Sequence, residues 1–212
     1  MAEPSTAPRR RAALIVVDVQ RDFCPGGALP APGGDAILPA LNRYLAAALQ
    51  LSMPVYASRD WHPAVTSHFV SGGGEWPPHC VQGSEGAQFH PALALPADAI
   101  VISKGVEADR HGYSAFEGRT PQGDPFLTDL RSRGIDVLYV TGLATDYCVT
   151  QTVLDAREAG LGVTVLTDAI AGIDVRPGDV DRALADMTGA GAKLASGPAA
   201  LQTTDSGPHG QV

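Results

Sequence analysis

Short β-branched runs alternate with longer helical stripes along most of this chain, and that alternation constrains the fold more than any other feature. Ala13–Val17 is a near-continuous apolar run, the pattern of a strand buried on both faces of a sheet. Ala36–Leu51 reads as a helix, with Asp35 as its N-cap and Leu38, Leu41, Leu45 and Leu49 on one stripe. Pro54–Ser58 and Ala99–Ser103 read as the next two strands. Asp124-Pro125 is expected to open a helix that Gly134 ends, with the cap and the first-turn proline in favoured places. Asp136–Thr141 follows as a strand, Asp146–Ala159 as a helix closed by Gly160, and Gly162–Leu166 as a strand. A helix from Pro177 to Met187 and a short strand at Ala192–Leu194 complete the series. Such alternation implies right-handed crossovers with helices on both sheet faces. The expected class is α/β: a three-layer, doubly wound fold around a six-stranded, mainly parallel sheet. One domain is expected over residues 12–195, between a flexible arm at 1–11 and a flexible tail at 196–212, both rich in Pro, Gly, Ser and Thr.

Composition removes several functions. Apolar residues make up 44 % and charged residues 18 %, a globular balance with ample core material. A net charge of −8 argues against nucleic-acid binding, which needs concentrated positive charge to displace counterions. The basic cluster Arg9-Arg10-Arg11 sits in the leader and reads as a solvated arm. The apolar run after it is too short for an export signal, and no stretch has the length of a membrane span. Three cysteines without a regular framework suit free thiols in a reducing compartment, so cytoplasmic residence is expected. Monomer and homo-oligomer both remain open.

In open α/β sheets, ligands bind outside the carboxyl ends of the strands. The first strand ends at Asp18, the second runs to Asp60, the third to Lys104, and the fourth leads through Gly142–Asp146 to Cys148 at a helix start. Lysine occurs twice in the chain against 13 arginines, so Lys104 at a strand end is not routine surface decoration. A free cysteine is commonly a packed small hydrophobe. Beside an ammonium and a helix N-terminus, however, Cys148 is expected to be drawn toward thiolate, the nucleophilic form. Asp18 reads either as a carboxylate capping a loop or as the base that takes the thiol proton and returns it to a leaving amine. Lys104 would balance both charges, or else end its strand in solvent. Cys24 and Cys80 lack such a setting and read as packing residues.

The long Gly/Pro/His-rich connection at residues 60–98 is the second concentration of chemistry. Asp60-Trp61-His62 is a D-x-H on an extended segment, so both outer side chains point one way. His68 and His79 follow, and together these residues form a candidate site for a divalent ion such as Zn, Fe or Mn. Singly, each histidine reads as a loop residue rather than a ligand. Phe23 and Trp76 are core filler or pocket walls able to stack a flat heteroaromatic ring. His90, His111 and His209 read as surface residues.

These residues resemble the nicotinamidases (pyrazinamidases) of the isochorismatase-like cysteine hydrolases over about Ala12–Ala195. The matching segments are Ala13–Cys24, Ser58–His62, Trp76–Cys80, Gly112–Gly118 and Gly142–Val149. The first and last are shared across the superfamily; the D-x-H with two later histidines is particular to the nicotinamidase branch. The resemblance implies hydrolysis of nicotinamide to nicotinate and ammonia through a cysteine thioester, in NAD salvage. It implies Asp18, Lys104 and Cys148 as the triad and Asp60, His62, His68 and His79 as ligands of one divalent metal. Phe23 and Trp76 would sandwich the ring, and Tyr113 would line the pocket. The amides of Ala144 and Cys148 would form an oxyanion hole, with a cis peptide between Leu143 and Ala144. The stretch Glu107–His111 is longer and more charged than the family pattern and has no implied role. Competing readings are a metal-free amidase for carbamoyl or ureido substrates, a metallohydrolase with Cys148 merely packed, and an inactive binding relative.

Overall fold

The computed structural model describes residues 11–202. Among them, six strands form one sheet in the order β3-β2-β1-β4-β5-β6, every pair parallel. The strands are β1 (Arg11–Val17), β2 (Val55–Asp60), β3 (Ile100–Lys104), β4 (Ile135–Leu143), β5 (Gly162–Ala171) and β6 (Lys193–Ala195). The helices are α1 (Leu38–Gln50), α2 (Phe126–Ser132), α3 (Thr150–Glu158) and α4 (Asp179–Gly189). From β1 the chain winds outward through β2 and β3, then crosses back to β4 and winds the other way. The order therefore reverses between β1 and β4, which is where a doubly wound sheet opens a crevice. No helix among the described residues is long and apolar enough to cross a membrane.

The two-residue period of β1 divides the core. Leu14 and Val16 pack with Leu38, Leu41, Tyr44, Leu45 and Ala48 of α1 on one face. Ala13, Ile15 and Val17 pack on the other with Phe126 and Leu130 of α2, Val153 and Ala156 of α3 and Met187 of α4. The three expected layers follow from that alternation.

Local details depart from the sequence reading. The first helix begins at Leu38; Asp35 contributes its carbonyl, not its side chain, to the Leu38 N–H. Its buried stripe continues through Tyr44 and Ala48, leaving Leu49 exposed, because 3.6 residues per turn carry the apolar face past position 49. Pro125 stays extended at the N-cap of α2, so the helix opens one residue later than expected. β5 runs on to Ala171 through a register shift opposite β4. The expected Asp146 helix starts instead as a wide π-type turn, Thr145–Val149, before α3. At the termini, Arg11 already pairs in β1, and Pro198–Gln202 forms a 3-10 turn whose Leu201 joins the α1 side of the core. Residues 1–10 of the expected arm and 203–212 of the expected tail, with His209, lie outside the described residues.

Leu201→Ala should lower stability by about 2–3 kcal/mol, because it empties a buried site. Leu194→Ala, on a side chain 42 % exposed, should change it by less than about 0.5 kcal/mol. Urea melts of the two variants check the contrast.

Candidate active site

The strand ends deliver four side chains to one edge. β3, β2, β1 and β4 lie side by side, and at or just beyond their carboxyl ends stand Lys104, Asp60, Asp18 and, on the Thr145–Val149 turn, Cys148. Asp60 and Lys104 are direct cross-strand partners. Gly142, at φ +109°, lets β4 close on β1 there: a Cβ would sit 2.0 Å from the Val17 carbonyl oxygen. All four side chains are buried, and Cys148 is the most accessible at 7 %.

Lys104 Nζ stands at the centre. It is 2.7 Å from Asp18 Oδ2, and it donates to Asp60 Oδ1 at 2.5 Å, to the Gly112 carbonyl at 2.9 Å and to Cys148 Sγ at 3.4 Å. The two carboxylates and the thiol lie within 4.8 Å of one another, a spacing that could suit a metal. The ammonium already fills the middle.

Burial splits the two carboxylates. Ser58 Oγ donates to Asp18 Oδ1 at 2.7 Å, while Oδ2 faces Lys104 without a directed hydrogen bond and so keeps a lone pair for another proton. Desolvation pushes the Asp18 carboxyl up to about 6, against the pull of Lys104. Asp60 is also desolvated, but Lys104 and His62 outweigh that and hold it well below the usual carboxylate range. One acid is thus poised near neutrality while the other stays a fixed anion. Burial disfavours the Lys104 charge, yet its two carboxylates keep it protonated. The Cys148 thiol differs from expectation: desolvation and the two carboxylates outweigh Lys104 and push it well above its ordinary value. It rests as a thiol and needs a base.

The three histidines of the long connection are buried next to this group. Their ring centroids are 4.5 Å apart for His62 and His68, and 5.3 Å for each of the other pairs. Asp60 Oδ2 faces them, 3.6 Å from His62 Nε2 and 3.9 Å from His79 Nε2. His79 Nδ1 is 2.8 Å from the Pro77 carbonyl, so it bears the proton and leaves Nε2 with a lone pair. Both ring nitrogens of His62 are buried without a hydrogen-bond partner. Gly105, at φ +62°, makes room for that ring: a Cβ would meet His62 Cε1 at 2.4 Å. Burial and the neighbouring imidazoles push His68 down to about 3, and burial lowers His79 as well. Three imidazoles with nitrogens within 4.8 Å of one another, two of them orphaned on His62, and a carboxylate oxygen facing His62 and His79 fit a divalent cation.

The aromatics meet this site through different partners. Phe23 is buried against His79, with ring centroids 5.4 Å apart. Trp76 Nε1 donates to the Tyr113 hydroxyl at 2.9 Å, and its ring meets Tyr147 edge-on at 5.1 Å. The Leu143–Ala144 peptide is cis.

Several supporting residues escaped the sequence reading. Gln20 clasps Asp60, its Nε2 donating to the Asp60 carbonyl and its Oε1 accepting the Asp60 N–H, both at 2.8 Å. Asp22 accepts the Cys80 N–H at 2.7 Å, next to His79. Asp146 ties the turn that carries Cys148 to the segment just after β5 by accepting from the Ile173 and Asp174 N–H groups. The period-2 series Asp18-x-Gln20-x-Asp22 after an apolar strand was the available signal for the first two. His111, read from the sequence as a surface residue without an assigned role, is exposed and has Nδ1 3.0 Å from His68 Nδ1. Cys24 and Cys80 are buried, free and pushed upward by desolvation, in keeping with packing roles.

Hydrolysis by way of a cysteine is the class of chemistry that this fold and this site allow together. The Isochorismatase domain matches residues 12–198, and the chain belongs to that family. It is 43 % identical to a nicotinamidase of Escherichia coli (strain K12) over 198 residues, covering 86 % of this chain and 93 % of that one. The pyrazinamidase of Pyrococcus horikoshii in complex with zinc superposes with a TM-score of 0.81 at 45 % identity, covering 88 % of this chain and 99 % of that one. PnC1 from L. infantum in complex with nicotinate gives 0.77 at 38 % identity, covering 91 % and 96 %.

Lys104→Met leaves two buried carboxylates without their cation, which should cost about 3–5 kcal/mol near pH 8. The loss should shrink as pH falls. In the variant both carboxyl groups have raised folded-state pKa values, so the folded chain takes up protons before the unfolded chain does. Urea melts at about pH 8 and about pH 5.5 test the sign.

Proposed function

We propose that this chain is an amidohydrolase that converts nicotinamide and water to nicotinate and ammonia. One observation carries the reading: Asp60 joins a thiol–acid–ammonium group to a cluster of three imidazoles, one carboxylate oxygen facing each. A metal-free amidase has no use for the second half. A metallohydrolase has no use for the first. The zinc of the P. horikoshii relative and the nicotinate of the L. infantum relative support the same reading.

Asp60, His62, His68 and His79 would hold one divalent ion, Zn, Fe or Mn, which when bound supplies an anchor for the pyridine nitrogen and so orients the carboxamide. Phe23 and Trp76 flank the flat ring, and Tyr113 steadies Trp76 through its hydroxyl. Cys148 Sγ attacks the amide carbon while Asp18 takes the thiol proton. The carbonyl electron pair moves onto oxygen, where the N–H groups of Ala144 and Cys148 receive it. Asp18 then passes its proton to the amide nitrogen, the C–N bond breaks, and ammonia leaves a thioester on Cys148. Water attacks that thioester as Asp18 takes one of its protons; the C–S bond breaks and the sulfur regains that proton from Asp18. The acid departs and ionises to nicotinate, giving its remaining proton to solvent or ammonia. Lys104 stays charged throughout and balances whichever of Asp18 and Cys148 is anionic. The three unpaired cysteines suit a reducing compartment, and the reading places the enzyme in the cytoplasm.

Cys148→Ala should lower ammonia release from nicotinamide by a factor on the order of 10⁴ or more while leaving the metal content unchanged. Near-normal turnover by that variant would rule out the covalent route. Because ionised Asp18 is the base, kcat/KM of the wild-type enzyme should fall as pH drops through about 6. A pH profile flat from about 7 to about 4.5 would exclude Asp18 from that role.

A further inference from the structure

Between Lys104 and Tyr113 the chain makes an exposed excursion whose far end returns to the site. Its Ala108 carbonyl accepts from Ser67 N–H at 2.8 Å and Thr66 Oγ1 at 2.9 Å, and Thr66 Oγ1 in turn accepts from His68 N–H at 3.2 Å. The excursion is thereby fastened to the segment that carries His68. At its end, the Gly112 carbonyl accepts from Lys104, and the His111 ring lies nearly parallel to Tyr113, 17° between planes at a centroid separation of 5.9 Å.

His111 Nδ1 and His68 Nδ1 are 3.0 Å apart. Two such nitrogens share a single proton, so one ring donates and the other accepts. If His111 donated, the neutral His68 would carry its own proton on Nε2 and have no lone pair left for an ion. If His68 donates, Nε2 is the nitrogen left with a free lone pair. His79 already has this arrangement, with Nδ1 turned outward to the Pro77 carbonyl. Metal-ligating histidines generally give their outer N–H to an acceptor, which fixes tautomer and ring orientation.

We propose that His111 is a positioning residue for the cation site, accepting the Nδ1 proton of His68 so that Nε2 of His68 is presented to the ion. The inference rests on the reading that Asp60, His62, His68 and His79 hold a divalent cation, and it gives the Glu107–His111 stretch a function in that site. His111 does not touch the substrate. It acts through His68.

The test is zinc affinity, measured by chelator competition on purified, metal-stripped protein. His111→Ala and His111→Phe should each bind zinc about 10- to 100-fold more weakly than wild type. The Phe variant keeps a ring to stack on Tyr113 but has no acceptor. His111→Asn should recover most of the affinity, because its Oδ1 branches from Cγ as the imidazole Nδ1 does. Wild-type affinity in His111→Phe overturns the proposal, as does an Asn variant no better than Phe. A wild-type protein that takes up no zinc overturns the metal reading and this inference together, whereas zinc uptake unaffected by all three substitutions overturns the inference alone.

Discussion

An ammonium buried between two carboxylates and a thiol is the constraint on which the rest of this structure depends. Asp18 and Asp60 could not both stay ionised out of water at this separation without a cation between them. Lys104 provides it, and is itself tolerable in the interior only because both acids face it. The strand order supplies the geometry without further devices. Reading along the edge from β3 to β4 gives Lys104, Asp60, Asp18 and Cys148 in turn, so the sequence of neighbouring strands is also the sequence of neighbouring groups. The order reverses between Asp18 and Cys148, so the proposed base and nucleophile meet at the switch point where doubly wound sheets bind their ligands.

Asp60 has two duties because a carboxylate has two oxygens. Oδ1 takes the ammonium, and Oδ2 faces the imidazoles. With Asp18, Asp60 and Lys104 all ionised, the buried group carries one net negative charge, and a divalent cation beside Oδ2 would offset it. Gln20 holds Asp60 by both main-chain polar groups, which keeps the two oxygens pointed at two different partners. Movement of this one residue would disturb both halves of the site at once.

What the sequence disclosed followed from short-range periodicity. An apolar run closing on an acid placed Asp18, and the same logic placed Lys104 at the end of β3. Period-2 alternation placed Asp60 and His62 on one side of an extended segment. What stayed hidden depends on contacts distant in sequence. His111 meets His68 across 43 residues, and nothing in a charged stretch shows which residue turns back. Cys148 showed a helix start and a lysine, both favouring thiolate; the desolvation that outweighs them exists only once the sheet edge is assembled. Leu201 lies in a segment without apolar periodicity, so its packing beside α1 left no pattern to read.

The two halves of the site also differ in how they are built. Asp18, Lys104 and Cys148 sit at or one turn beyond strand ends, positioned by the ladder of the sheet itself. Of the proposed cation ligands, only Asp60 stands on a strand; the imidazoles come from the connection that follows β2, with Phe69 packed against all three. Loops tolerate replacement far better than a buried parallel ladder does. On the proposed function, acyl transfer through the thiol belongs to the sheet edge, while the imidazoles that would anchor a nitrogen heteroaromatic amide belong to the connection after β2. A relative that kept the edge and lost the histidines would retain the acid, the ammonium and the thiol but would have to seat its amide by other contacts.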